Sequence, residues 1–454
     1  MREIFTALDG VVDGLHVAAA TAVRGRGTFW PGPLDPQTLA VSSVGLAAAS
    51  AEEFARRTGR RRRTVTARLP EVIAAFGSIS RLRIDGRPVA GFAPCSGFFP
   101  TADGWLRTHA NYPHHRARLF DALDIDDDAA LAPALAQLSS LEAESRIIRA
   151  GGVAAAVRDE AEWRRDATTT PGPWIHVHPH STDVSSRTMA PRASRGPWRA
   201  APPPRDAALP LKGIRVVSLT RVIAGPTAAK FLAALGADVL RIDPPALPEL
   251  LGQHLDTDLG VRCTSRDLSS PASAAEFAEA LDSADVLLTG YRPGSLTALG
   301  LGSAQIRERF PPLVHVELSA WEPSGPRAGQ RGFDSIVQAA TGVASHYGKH
   351  DDDGWRPGAL PVQALDHATG YGMAAAACAL LASVRAGHAR LSLERTARVL
   401  LDAEHPHREE DGEAGLDSPT RSVTLSSARG TITCVPAPVR VDGRRPPVTP
   451  PIEC

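Results

Sequence analysis

The chain is poor in cysteine, methionine and tyrosine, with 5, 3 and 4 of them among 454 residues. The cysteines (Cys95, Cys263, Cys378, Cys434 and Cys454) are odd in number, scattered, and without Cys-x-x-Cys spacing. That argues against a structural zinc site and for a reduced, cytoplasmic setting. Scarce methionine speaks against a promiscuous Met-lined binding surface. Net charge is also missing: Lys plus Arg and Asp plus Glu number 50 each. No global field therefore draws the chain to nucleic acid or to a membrane surface. The longest apolar stretch, residues 373–381, is too short and alanine-rich to span a bilayer. The opening Met1-Arg2-Glu3-Ile4-Phe5 brings an acidic residue early and no long apolar core, so no targeting signal is expected.

What is present is length and alanine, enough for two or three domains with helix-rich cores. Residues 1–165 open with an alanine-rich helical pattern over 39–57 and the basic turn Thr58-Gly59-Arg60-Arg61-Arg62-Arg63, which reads as solvated. Asp103-Gly104 reads as a hairpin turn, followed by charged amphipathic helices over 116–123 and 129–149. Residues 166–210 read as a linker, because Pro171, Pro173, Pro179, Pro191, Pro197 and Pro202-Pro203-Pro204 deny it regular structure. Within it, His176-Val177-His178-Pro179-His180 would point three imidazoles one way on a strand. In a proline-rich linker a solvated segment is expected there and no metal.

Residues 211–454 begin differently. A short apolar strand over 214–219 runs through a small-residue turn into a helix over 228–235, capped by Gly236, and a strand over 238–242. The pattern recurs as a helix over 274–280, strand 286–288, helix 303–309 and strand 314–318. Strand, helix, strand with short turns predicts an α/β fold: a Rossmann-like parallel-sheet large domain, with a smaller α+β domain beside it. A weak internal repeat links the first and third blocks. Arg57-Thr58-Gly59 aligns with Arg385-Ala386-Gly387, and Thr64-Val65 then falls on Ser392-Leu393. Arg83-Ile84-Asp85-Gly86-Arg87 resembles Arg440-Val441-Asp442-Gly443-Arg444, with extra residues in the second copy placed around 409–419.

Several motifs in the third block occur in a known order. Leu219-Thr220-Arg221-Val222-Ile223-Ala224-Gly225-Pro226 comes first, then Leu235-Gly236-Ala237-Asp238-Val239-Leu240-Arg241-Ile242-Asp243-Pro244. Tyr291-Arg292-Pro293-Gly294, Leu299-Gly300-Leu301, Ser324-Gly325-Pro326, Gly332-Phe333-Asp334 and Asp366-His367-Ala368-Thr369-Gly370 follow. This series resembles the large domain of family III (CaiB/BaiF-type) CoA-transferases. Residues 101–105 and the helices after them, with Ala161-Glu162-Trp163, are similar to that family's small domain. The halves therefore read as rearranged, a permutation or a truncated tandem fusion: a degenerate partial copy at 1–165, a linker at 166–210, and the catalytic large domain at 211–454.

The resemblance implies transfer of CoA between an acyl-CoA and a carboxylic acid, with coenzyme A as substrate and no further cofactor. Asp366 would be the acyl-accepting carboxylate. Read alone, an Asp just before an alanine-rich helix is an N-cap. The aligned residue of the first copy is Thr38, which cannot form an acyl anhydride, so one active centre per chain is expected. Arg221, Arg241 and Arg292 would contact CoA phosphates, and Ala224, Gly225, Pro226, Pro293 and Gly294 would let backbone approach the ligand. A homodimer is implied, with a monomer completed by its own first block as the rival. Related 2-methylacyl-CoA racemases place a histidine where Phe333 stands, and phenylalanine carries no proton, so that alternative is disfavoured. A non-catalytic acyl-CoA-binding protein is the other alternative, motivated by Ile223, where some members carry a polar side chain. His109, His114 and His115 read as surface or small-domain interface.

Overall fold

The computed structural model describes residues 2–166, 172–183, 209–352, 354–404 and 422–453. At its centre lies an eight-stranded sheet made of β1 (His176–Asp183), β2 (Arg215–Leu219), β3 (Asp238–Asp243), β4 (Arg262–Ser265), β5 (Val286–Thr289), β6 (Val314–Ser319), β7 (Arg385–Ser392) and β8 (Ile452–Glu453). Their order is β8-β4-β3-β2-β5-β6-β7-β1, parallel throughout except where β1 runs antiparallel to β7. Every residue of β5 is buried, as a strand covered on both faces requires. The α/β expectation holds, with a parallel-rich sheet.

Five helices matter for the site: α1 (Pro36–Arg57), α2 (Ala224–Ala234), α3 (Asp334–Ala340), α4 (Ala364–Ala382) and α5 (Leu393–Leu401). All of α4 is buried, so its run of alanines is a packing surface on every side rather than one amphipathic stripe. It packs against α1, α2, β6 and β7. Small residues permit this closeness. A Cβ on Gly370 would stand 2.2 Å from the Ala224 carbonyl oxygen, so α4 is pinned to the start of α2. No helix among the described residues is long and apolar enough to cross a membrane.

Residues before 166 contribute in two ways. A three-stranded antiparallel sheet (Phe98–Pro100, Trp105–Thr108, Ala154–Ala156) carries helices Pro113–Leu123 and Ser140–Arg149 over its own apolar cluster of Leu106, Leu119, Leu135 and Ile147. The expected Asp103-Gly104 turn forms, closed by Thr101 N–H on the Gly104 carbonyl at 2.9 Å. The single helix expected over 129–149 is broken. Helix Leu131–Ala136 stops, and Ser139 caps a new one through Glu142 N–H at 3.3 Å. Meanwhile α1 and its neighbours join the main core, which takes residues from Ile4 to Val439. The basic turn is solvated at Arg61 and Arg62 but anchored on either side of them: Arg60 donates to the Lys212 carbonyl and lies over Phe54, and Arg63 pairs with Asp442.

The aligned segments share an order of elements. Helix α1 is followed by strand Val65–Arg68 and helix Leu69–Phe76, as α4 is followed by β7 and α5. Asp85-Gly86 turns with φ 48° and 79°, Asp442-Gly443 with φ 49° and 77°. Residues 409–419, expected as the insertion, lie outside the described residues.

The expected linker needs correcting where it is described. Residues 176–183 form β1 at the edge of the main sheet, with His178 opposite His388. Pro179 is tolerated there because an edge strand need not donate outward. The segment is held by Trp174, fully buried, whose indole N–H donates to Thr396 Oγ1 at 2.9 Å. Local composition favoured a linker, but one buried indole outweighs it. Trp174→Ala is expected to cost about 3–5 kcal/mol, read as a lowered urea midpoint; a change below about 1 kcal/mol would show the segment to be passive.

Candidate active site

β2 and β5 lie side by side, yet the chain leaves them toward opposite edges of the sheet, to β3 and to β6. Such a switch point opens a crevice beyond the carboxyl ends of the strands. The β2 exit is Thr220-Arg221-Val222-Ile223, and the β5 exit is Gly290-Tyr291-Arg292-Pro293. Arg221 and Arg292, distant in sequence, thus line one cleft of about 210 Å³ together with Arg331, Tyr112, Ala224 and Pro293. Arg221, Arg292, Ala224 and Pro293, each expected to contact CoA, all line this cleft. Gly225 and Pro226 are buried inside α2 behind the cleft. A Cβ on Gly225 would stand 2.2 Å from Thr220 Cβ, so that glycine serves the strand-to-helix turn. Gly294, at φ +85°, shapes the loop after Arg292.

The turn itself is strained. Val222 has φ +69°, a conformation costly for a β-branched side chain. Glu249 holds it by accepting Val222 N–H at 2.9 Å. The same carboxylate accepts Leu250 N–H at 3.0 Å, Arg241 at 2.9 Å and the Tyr112 hydroxyl. Burial pushes the Glu249 pKa up, but Arg241 and Arg221 outweigh it and the group titrates below its ordinary value.

Arg241 is not a ligand contact. Its side chain is fully buried and bonds Asp258 at 2.8 Å, Glu249 at 2.9 Å and Asp243 at 3.1 Å. A guanidinium so surrounded supports the turn from beneath. His254, Asp258 and Cys263 bring potential ligand atoms within 4.8 Å of one another. Asp258 is already committed to Arg241, so the group belongs to this ion-pair network and holds no free charge for a cation.

Arg221 lies over the Tyr112 ring at 5.0 Å and donates to the Pro248 carbonyl at 2.9 Å. Arg292 is exposed on the cleft rim. Partial burial, then the nearness of Arg292, lowers the Arg331 pKa. Guanidinium groups gathered this closely form a site for anionic oxygens.

Asp366 is the third residue of α4, not its N-cap, and Gln363 in the cap position makes no side-chain bond. The first turn is satisfied from outside: Asp366 N–H donates to Asp334 Oδ2 at 2.8 Å, while Asp334 also accepts from Gln338. Two carboxyl groups therefore share a buried place. Burial, then the charge of Asp334, pushes the Asp366 pKa well above the carboxylate range, and burial lifts Asp334 to about 6. The pair retains a proton that isolated carboxyls would lose.

A second cavity of about 430 Å³ opens on the other side, walled by Phe76, Phe92, Ile223, Phe333, His109 and His367. Val222, Phe333 and Asp366 border both cavities. Asp366 thus stands between an arginine-lined cleft and a largely apolar chamber. Sequence reasoning missed much of this wall. His109 lies flat on Phe333, ring centroids 3.6 Å apart and planes at 4°, and His114 and His115 line the cleft. His109 and His115 are buried rather than superficial. Nothing local in residues 109–115 marks them as site residues, because their partners lie more than a hundred positions away. Arg331 and Asp334 were within reach, since they flank the Gly332-Phe333 step already singled out.

Residues 211–392 match the model of CoA-transferase family III. The chain is 32% identical over 192 residues to the probable fatty acyl-CoA transferase Rv3272 of Mycobacterium tuberculosis, covering 39% of this chain and 48% of that one. It is 32% identical over 197 residues to the succinate–glutarate CoA-transferase of Agrobacterium fabrum, again covering 39% and 48%. The crystal structure of Rv3272 aligns at 31% identity with a TM-score of 0.40, over 43% of this chain and 56% of that one. The chain spans about half the length of these curated relatives.

The buried carboxyl pair has a consequence for stability. Both groups titrate above their unfolded values, so their cost is absent below about pH 4 and grows as pH rises, for Asp334 through about 6. Asp366→Asn removes one of the two charges at constant shape. It is expected to stabilise the protein by about 1–3 kcal/mol at pH 8, with the gain vanishing at pH 4. Urea unfolding at the two pH values measures this, and a gain independent of pH would contradict it.

Proposed function

We propose that the protein is a CoA-transferase that moves CoA from an acyl-CoA thioester to a carboxylic acid through Asp366. The observation that carries this reading is the placing of one buried carboxylate between an arginine-lined cleft and an apolar chamber. The match of residues 211–392 to the family model and the activities for which the relatives are named support it.

In the first step an Asp366 oxygen attacks the thioester carbonyl carbon; the C–S bond breaks and CoA thiolate leaves, giving a mixed anhydride. The thiolate then attacks the aspartyl carbonyl, releasing the original acid and leaving an aspartyl-CoA thioester. The acceptor carboxylate attacks that thioester, forming a second anhydride and freeing the thiolate again. Attack of the thiolate on the acceptor's carbonyl yields the new acyl-CoA and restores Asp366. CoA is a substrate throughout, and no other cofactor is invoked.

The chain's residues have distinct tasks in this scheme. Arg221, Arg292 and Arg331 meet phosphate oxygens of CoA. Glu249 and Arg241 keep the Val222 turn in its strained form, so the cleft does not reorganise on binding. Asp334 positions Asp366 through its backbone N–H. Desolvation raises the carboxylate's energy before attack, and the partial positive charge at the start of α4 limits that cost. A homodimer forms part of the reading, and sedimentation measures it.

Incubation with acyl-CoA followed by hydroxylamine or borohydride is expected to leave a mass-shifted peptide at Asp366, and Asp366→Ala is expected to abolish both label and exchange. An unmodified Asp366 across a broad panel of acyl-CoA donors would leave only the binding-protein alternative. Because the attacking group must be ionised, and burial with the charge of Asp334 raises its pKa well above the ordinary value, the rate is expected to fall at a higher pH than an exposed carboxylate would give. Asp334→Asn should move this acid limb to lower pH, measured as the pH dependence of kcat/KM.

One observation favours a second reading. His109 stacks on Phe333 in the chamber with its Nδ1 unpartnered, and burial holds the ring neutral. A neutral imidazole there could take an α-proton although Phe333 cannot. Loss of deuterium from an α-deuterated 2-methylacyl-CoA would establish that activity, and retention would dismiss it.

A further inference from the structure

We propose that the 430 Å³ chamber beside Asp366 selects carboxylic acids with an uncharged body and discriminates against dicarboxylic acids. The inference rests on the CoA-transfer reading and names the class of acid that the same site takes.

Three features lead to it. First, the chamber's described lining contains no lysine or arginine, and its acidic members are Asp256 and Asp366. Its two imidazoles bring no positive charge either: burial holds His109 neutral, and burial with nearby Lys230 pushes His367 down to about 3. Second, Lys230 and Arg107 stand behind the wall and are not part of the described lining. Lys230 is spent on the carbonyls of Asp256 at 2.9 Å and Val435 at 2.7 Å. Arg107 lies over the rings of Phe92 and Phe98, at 4.9 and 5.0 Å. Third, the polar atoms left without partners are Gln253 Nε2, Ser335 Oγ, His109 Nδ1 and one oxygen of Asp256. The other Asp256 oxygen accepts from Ser78 at 2.6 Å.

A second carboxylate carried into this space would lose its water, find no counter-ion, and face the buried Asp256. A methyl end or a ring would meet Phe76, Phe92 and Ile223 instead. A terminal hydroxyl would also be accommodated, donating to Asp256 and accepting from Gln253. A single positive side chain in the wall would reverse the preference, and the described lining holds none. The succinate–glutarate transferase that matches this chain is named for dicarboxylic substrates, so the chamber predicts a divergence from that relative.

The test uses three six-carbon acceptors of matched reach: hexanoate, 6-hydroxyhexanoate and adipate. Each is offered to the whole protein with an acyl-CoA donor that labels Asp366. The expected result is a kcat/KM for adipate at least tenfold below that of either neutral acid. Adipate within tenfold of both, or better than either, overturns the inference while the Asp366 label keeps the CoA-transfer reading standing. Labelling of Asp366 with transfer to none of the three overturns the inference as well. Failure of every acyl-CoA to label Asp366 removes the CoA-transfer reading, and the inference falls with it.

Discussion

The hydrogen bond from Asp366 N–H to Asp334 is the contact on which the site depends. It joins the first turns of α3 and α4, and it brings two carboxyl groups into a buried space where burial outweighs the pull of Arg107 on Asp334. Folding bears that cost because α4 is buried along its whole length. The apolar contacts of such a helix outweigh the desolvation of one pair of acids. A carboxylate kept from water by its surroundings is also a better nucleophile than a solvated one, so the same burial that weakens the fold prepares the chemistry.

A second centre of order lies beneath the cleft. Glu249 joins Tyr112, the Val222 turn, Leu250 and the buried Arg241 in one network. Tyr112 comes from the segment before residue 166, while Arg241 and the turn come from the sheet that follows. Displacing this one carboxylate would leave a buried guanidinium short of a partner and a β-branched residue at positive φ without its restraint. The network therefore couples the small antiparallel sheet to the switch point, and it explains why Arg241 is structural although its position in the motif suggested a ligand contact.

The parts before and after residues 166–210 are bound together in many places. α1 packs along α4, strand Val65–Arg68 pairs with Arg440–Val441, and Trp174 fixes β1 beside β7. Both cavities take walls from both parts: from the first, Phe76, Phe92 and His109 line the chamber and Tyr112, His114 and His115 the cleft, while Val222, Phe333 and Asp366 of the second border both. The chain thus closes around Asp366 with its own residues. The chamber's neutrality is likewise a joint property, since neither part alone decides which cations face inward.

Sequence by itself determined the parallel α/β core, the order of its strands and helices over 214–318, and the carboxylate at the start of the alanine-rich helix. These are local: strand and helix periods, Gly-capped turns and motif spacing are fixed by neighbours a few residues away. Only the tertiary structure decided which charges are free. Arg241 and Arg292 each sit in a quoted motif, yet one is enclosed by three carboxylates and the other stands on the rim of the cleft. Burial and pairing are set by residues far apart in the chain, so composition misread 176–183 as linker, and His109 could be read only as surface or small-domain interface. The same distance effect places Asp366 inside its helix, capped by a carboxylate 32 positions earlier rather than by its own side chain.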